Sequence, residues 1–167
     1  MENGFRKLSL IYLITCITVL LLDLFTKSLA ERLFVKPVEV FPFLEFFLIH
    51  NRGVAFGLLS DLPDFLRVPL LVLVPIVAFF LTFFFALMEK SKFVALCMGM
   101  IGGGALGNLY DRVVLGEVRD FIHLHIGKYY WPAFNLADAS ITTGVVLLIL
   151  KQLLAQSSLK NLFNRAL

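Results

Sequence analysis

Asp120 and Asp138 stand at the edges of apolar stretches, in the segments V-R-D-F (118–121) and F-N-L-A-D (134–138). An ionised acid near the hydrocarbon of a membrane costs roughly 2.5 to 3.5 kcal/mol at a helix centre, so carboxylates placed there mark proton, ion or catalytic sites. Two carboxyl groups sharing one site resist simultaneous ionisation. One keeps its proton and the other acts as a base, which is the equipment for activating a water molecule.

The elements that must position them are those of a membrane protein. Of 167 residues, 59% are hydrophobic and 18 are Phe, while only 16% are charged. A soluble domain has no core large enough for that much apolar surface. The 15 Lys and Arg exceed the 12 Asp and Glu only slightly and are scattered, which excludes a nucleic-acid face. Cys16 and Cys97 fall inside apolar runs without metal-ligand spacing and read as small hydrophobes.

Four apolar segments predict spanning helices at about 8–29, 68–88, 93–110 and 133–155, each near the ~20 residues that cross about 30 Å of hydrocarbon. Four crossings put both termini on one side. The short ends and turn of that side carry Arg6, Lys7, Lys90, Lys92, Lys151, Lys160 and Arg165, so the positive-inside rule makes it cytoplasmic. Two longer segments, 30–67 and 111–132, then face the other side and carry the function. The expected fold is an all-α membrane protein with a small extracytoplasmic β-containing part, one membrane domain over 1–167.

The N-terminus also imitates a cleavable secretory signal, with Arg6-Lys7, an apolar run and Ser28-Leu29-Ala30. Against cleavage, Asp23 and Lys27 stand one turn apart on one helix face. They read either as an interfacial ion pair with a snorkelling lysine or as part of a site. Pro37 and Pro42 around Val38-Glu39-Val40-Phe41 predict short extended structure, and 43–59 reads as an interfacial, lid-like element broken by a turn at His50-Asn51-Arg52-Gly53.

Gly99, Gly103 and Gly107 recur every four residues, a face that lets a neighbouring helix approach closely. Beyond them Asn108, Asp111 and Arg112 turn toward one side, as a polar helix end or as part of a site. If 118–126 is a strand, Val118, Asp120, Ile122, Leu124 and Ile126 share one face, and Arg119, Phe121, His123 and His125 share the other. The two histidines lack a third ligand at useful spacing and read as solvated or interfacial. Asn135 is a favourable N-cap for the fourth helix, with Asp138 in its first turn. A helix first turn favours Asp138 as the anion and the apolar strand face favours Asp120 as the neutral acid.

Taken in order, D-L-F-T-K (23–27), N-R-G-V-A-F-G (51–57), G-G-A-L-G-N-L-Y-D-R (103–112), V-R-D-F (118–121) and F-N-L-A-D (134–138) resemble the lipoprotein signal peptidase, or signal peptidase II, family. The resemblance implies a bacterial inner-membrane aspartyl endopeptidase, its site toward the extracytoplasmic side. Such an enzyme cuts diacylglyceryl-modified prolipoproteins before the lipidated cysteine. It implies Asp120 and Asp138 as the catalytic dyad, with Asp23, Lys27, Asn51, Gly53, Gly104, Asn108, Asp111, Arg112 and Asn135 binding substrate or supporting the site. It implies no metal and no cofactor, with prolipoprotein and membrane lipids as partners and the oligomeric state open.

Three other readings use the same residues. Membrane carboxylates with Asn and Arg neighbours suit a proton- or ion-coupled transporter, although the acids cluster near one surface and no internal repeat is visible. A noncatalytic lipid-binding or assembly protein would use the glycine face to join subunits. A divalent-metal hydrolase would use Asp111, Asp120 and Asp138 as oxygen ligands.

Overall fold

The computed structural model describes residues 2–53 and 62–166, with side chains for 4–53 and 62–157. The described residues form four helices and two pairs of strands, in the order α1 (Glu2–Leu33), β1 (Val38–Phe41), β2 (Leu44–Asn51), α2 (Asp64–Met88), α3 (Lys92–Val114), β3 (Val118–Ile126), β4 (Tyr129–Tyr130) and α4 (Leu136–Ala166). Each helix contains a stretch of at least 22 residues long and apolar enough to cross a membrane. Their outward faces are apolar, as at Leu21, Phe25, Val74 and Leu81, which suits contact with lipid rather than water.

The four expected helices are all present, with different ends. α1 runs on to Leu33, so the stretch resembling a cleavage site is helical. α3 continues to Val114, placing Asp111 and Arg112 on its last turns rather than in the connecting segment. α4 starts at Leu136, after Pro132 and the Asn135 turn, and the C-terminal tail is its continuation. The backbone of 43–49, expected as an interfacial piece, is mostly strand β2. The expected short apolar piece at 54–59, with the rest of the lid, lies outside the described residues.

α3 is the centre of the bundle, in contact with α1, α2 and α4. Its glycines are the reason. A Cβ on Gly99 would stand 2.8 Å from the Tyr12 carbonyl oxygen, and one on Gly103 would stand 2.5 Å from that of Cys16, so α3 lies directly against the α1 backbone. Gly107 continues the row under the Asp23 carboxylate. The expected helix-contact face is therefore the α1–α3 seam. Beside it, Leu8, Tyr12, Cys16, Ala86, Leu87 and Ala95 form the apolar core.

The strands pair in the order β1-β2-β3-β4, antiparallel throughout. Along β2 and β3, Phe46 faces Ile122 but Ile49 faces Asp120, so Phe47 and Leu48 together oppose Phe121. This bulge moves the rest of β2 by one residue, which turns Asn51 to the face it would otherwise point away from. The expected alternation of β3 holds where it matters. Val118, Asp120 and Leu124 border one cavity, while Arg119, Phe121 and His123 pack behind. His123 departs from the solvated reading: it is buried, its Nε2 at 2.8 Å from the Phe47 carbonyl oxygen. A histidine backed by a bulged strand finds its partner on the backbone, which strand alternation alone does not reveal.

Candidate active site

β3 and the start of α4 are stitched together by the backbone. The N–H groups of Phe121 and Ile122 donate to the Phe134 carbonyl, and the Phe134 N–H donates to the Ile122 carbonyl at 3.1 Å. The next residue, Asn135, caps α4. Its Oδ1 accepts the Asp138 N–H at 3.0 Å, and Asp138 Oδ2 accepts the Asn135 N–H at 3.3 Å. This reciprocal pair is a capping box built from Asn and Asp, and it holds the Asp138 carboxylate at the positive end of the helix.

The same Asn135 side chain reaches the other aspartate, its Nδ2 donating to Asp120 Oδ1 at 2.7 Å. Asn51, turned inward by the bulge, donates to Asp120 Oδ2 at 2.9 Å. Asn108, near the end of α3, donates to Asp138 Oδ1 at 2.8 Å. Three neutral side-chain amides thus hold two carboxylates, and Asn135 meets both of them, Asp120 by its side chain and Asp138 by its backbone N–H. Burial pushes the Asp120 carboxyl up to about 6; the Asn51 amide pulls it back and the neighbouring Asp138 charge adds to the rise.

Beneath the amides lies a layer of ion pairs. Lys27 Nζ stands 2.8 Å from Asp23 Oδ2 and 3.3 Å from Asp111 Oδ2, and donates to Asn108 Oδ1 at 2.9 Å. Arg119 closes a two-pronged pair on Asp111, at 2.6 Å to Oδ1 and 3.2 Å to Oδ2, and its backbone N–H adds a third bond at 3.1 Å. Its remaining nitrogen faces Glu31 at 3.3 Å. Lys27, Asp23 and Asp111 are wholly buried, so the interfacial reading of Lys27 as a snorkelling lysine is overturned: its ammonium points into the bundle. Asp23 also accepts the Ala137 N–H at 2.8 Å, which satisfies a free donor in the first turn of α4.

A cavity of about 640 Å³ opens over the dyad. Asn51, Asn108, Arg112, Asp120 and Asp138 supply its polar wall, while Leu124, Trp131, Phe134 and Ile141 supply an apolar one. Arg112 reaches across it, with Nη2 at 3.4 Å from the Gly53 carbonyl oxygen and a buried Nε that has no partner among the described residues. Gly53 is fixed in turn by its own N–H, which donates to Asn51 Oδ1 at 2.9 Å. Gly104 allows this geometry from behind: a Cβ there would stand 2.5 Å from the Ala137 carbonyl oxygen, so only glycine lets α3 approach the first turn of α4.

The sequence-predicted residues therefore converge in two layers. Asp120, Asp138, Asn51, Asn108, Asn135, Arg112 and Gly53 form or border the cavity wall. Asp23, Lys27, Asp111, Gly104 and Gly107 support it from below. Arg119 and Glu31 were missed. The signal for Arg119 was available, since an arginine beside Asp120 in an apolar run needs a buried carboxylate. Asp111 is that partner, and with Arg119 and Lys27 on its oxygens it does not turn toward the dyad as the third ligand of a metal site.

Comparison with known proteins agrees with this architecture. The profile of the family described as signal peptidase (SPase) II, Peptidase_A8, matches residues 15–154. The chain is 63% identical over 165 residues to the lipoprotein signal peptidase of Aquifex aeolicus (strain VF5), covering 99% of each chain. It is 42% identical over 149 residues to that of Sulfurihydrogenibium sp. (strain YO3AOP1), covering 86% of this chain and 91% of the relative. A bacterial membrane enzyme solved by the in meso method at 2.3 Å resolution superposes with a TM-score of 0.77 at 31% identity, over 88% of this chain and 90% of that one. Matched by the family profile over most of its length and 63% identical to one lipoprotein signal peptidase along nearly all of it, the chain belongs to the signal peptidase II family.

Proposed function

We propose that the chain is a membrane aspartyl endopeptidase that removes signal peptides from diacylglyceryl-modified prolipoproteins, cutting before the lipidated cysteine, with Asp120 and Asp138 as the catalytic pair. The observation that carries this reading is that one residue, Asn135, meets both carboxylates beside a half-apolar cavity, Asp120 through its side-chain amide and Asp138 through its backbone N–H.

The charge count around the pair supports one retained proton. Lys27, Arg112 and Arg119 stand among the carboxylates of Asp23, Asp111, Asp120 and Asp138. With Glu31 on Arg119 the acids outnumber the three cations, which favours one retained proton, and burial beside the Asp138 charge favours it on Asp120. In the forward step Asp138 takes a proton from water, the hydroxide attacks the scissile carbonyl carbon, and Asp120 donates its proton to the carbonyl oxygen. The C–N bond then breaks as Asp138 passes the acquired proton to the departing cysteine nitrogen, and Asp120 recovers its proton as the new carboxyl group forms. Arg112, with its unpartnered Nε facing this region, is the donor available to hold substrate backbone.

Acyl chains and an apolar signal helix suit lateral entry from the bilayer against Leu124, Trp131 and Ile141. The basic residues Arg6, Lys7, Lys90 and Lys92 gather at the end of the bundle away from the dyad. By the positive-inside rule that end is cytoplasmic, so both termini face the cytoplasm and the site opens on the outer side of the bacterial inner membrane.

The test is cleavage of a diacylglyceryl-modified prolipoprotein by purified chain in detergent, with chelator present. Cutting before the lipidated cysteine by the native chain, and none by folded Asp120→Asn or Asp138→Asn, is the expected result. Substrate binding without any cutting by well-folded native chain would remove the dyad assignment.

A further inference from the structure

A second cavity, of about 680 Å³, opens at the other end of the bundle, where the start of α1 meets the turn between α2 and α3. Its floor includes the buried side chains of Leu8 and Leu87. Around it stand Arg6 and Lys7 from α1, Lys90 from the turn and Lys92 from the first position of α3. Four cations thus converge from separate parts of the chain, and none pairs with a carboxylate among the described residues. Glu89, in the same turn, does not line the cavity.

The turn itself points the same way. Lys90 has φ 50°, the left-handed conformation that ends a helix and that glycine adopts without strain. A lysine there carries that strain and contributes an ammonium to the cavity. Arg6, Lys7, Lys90 and Lys92 are exposed, and four like charges around one apolar cavity raise its positive potential and favour an anion there.

We propose that this cavity binds one anionic phospholipid, with the phosphate head group against the basic rim and the acyl chains along the apolar floor. A free phosphate would use the rim and leave the floor exposed; a zwitterionic lipid would cover the floor without neutralising the rim. Basic pockets between helices at a membrane surface suit the anionic lipid. The lipid would fasten the start of α1 to the α2–α3 turn, a role separate from the dyad and independent of the peptidase reading.

The experiment uses the purified full chain in neutral detergent, with lipid retention read by native mass spectrometry and thermal unfolding. Phosphatidylglycerol, phosphatidylcholine and inorganic phosphate are the probes. Two variants are compared with the native chain: Arg6→Gln/Lys90→Gln/Lys92→Gln, which removes charge, and Gly4→Trp, which fills the cavity and keeps every charge. A Cβ on Gly4 meets nothing within 4 Å, so the added ring has room. The native chain should retain phosphatidylglycerol about tenfold better than phosphatidylcholine, and each variant should lose about tenfold of that retention. If the triple variant fails to fold, Gly4→Trp decides alone. Equal retention of the two lipids, or undiminished phosphatidylglycerol in the folded variants, overturns the proposal. So does equal stabilisation by inorganic phosphate, which would make this a free-anion site, or a changed oligomeric mass in the variants, which would mean that a second copy covers the cavity.

Discussion

Asp111 and Asp120 are both buried, both close to α3 and β3, and held in opposite ways. Asp111 is gripped by cations, with Arg119 on both oxygens and Lys27 close by. Among the described residues, Asp120 accepts hydrogen bonds from the neutral amides of Asn51 and Asn135. A cationic partner fixes a carboxylate in its ionised form, because losing the charge would strand the partner in a low-dielectric setting. An amide fixes position and leaves the proton free to come and go. On the proposed mechanism the molecule separates the acids that hold the site from the acids that work in it, although both kinds are aspartates.

That contrast can be broken most severely at the working pair. Asp120→Asn or Asp138→Asn should lower kcat by about 1000-fold or more while the folded chain still binds substrate, as single-turnover assays with a binding control would show. At the holding pair the loss should appear in stability instead. Asp111→Asn leaves Arg119 and Lys27 short of a counter-charge and should cost about 3 to 5 kcal/mol, read from unfolding in mixed micelles. Unchanged stability there would mean that the ion layer is not what holds α3 to β3.

A smaller change sharpens the amide half of the comparison. With Asp120 as the acid, its proton is present below a carboxyl value of about 6 and lost above it, so the rate should fall as pH rises through that region. The Asn51 amide lowers that value, so Asn51→Ala should move the falling limb to higher pH while kcat drops about tenfold. A rate that rises through the same range would exchange the roles of the two aspartates. The smallest effect belongs to Glu31, whose carboxylate is 41% exposed where it meets Arg119. Glu31→Gln should change stability by less than about 1 kcal/mol and leave kcat unaltered.

Much of this arrangement is legible in the chain because single physical patterns encode it. Apolar length predicts α1 to α4, a four-residue glycine period predicts a close seam with a neighbouring helix, which the fold assigns to α1, and Asn135 three residues before Asp138 predicts the cap. What escapes is whatever depends on two distant elements meeting. The bulge at Phe47 and Leu48 has no mark of its own in the sequence, yet it decides whether Asn51 faces Asp120. Lys27 pairs with Asp23 in the sequence but reads equally as an interfacial or a site lysine until Asn108 and Asp111 are seen around it, because a buried ammonium is tolerated only with partners that a linear reading does not bring together. His123 is the same case in miniature, with its partner a backbone carbonyl on the neighbouring strand.

The bond from the Ala137 N–H to Asp23 joins residues 114 positions apart and has a consequence for biogenesis. Asp23 leaves the ribosome early, inside the first helix, while the groups it must cap and the second working carboxylate are made near the end. Until α4 inserts and docks, the nascent protein holds a charged half-site with no Asp138 and no cavity wall from Ile141 and Thr142. On the proposed mechanism, hydrolytic competence is gained only after the final insertion event, so an unfinished chain would pass through the membrane machinery without cutting what surrounds it.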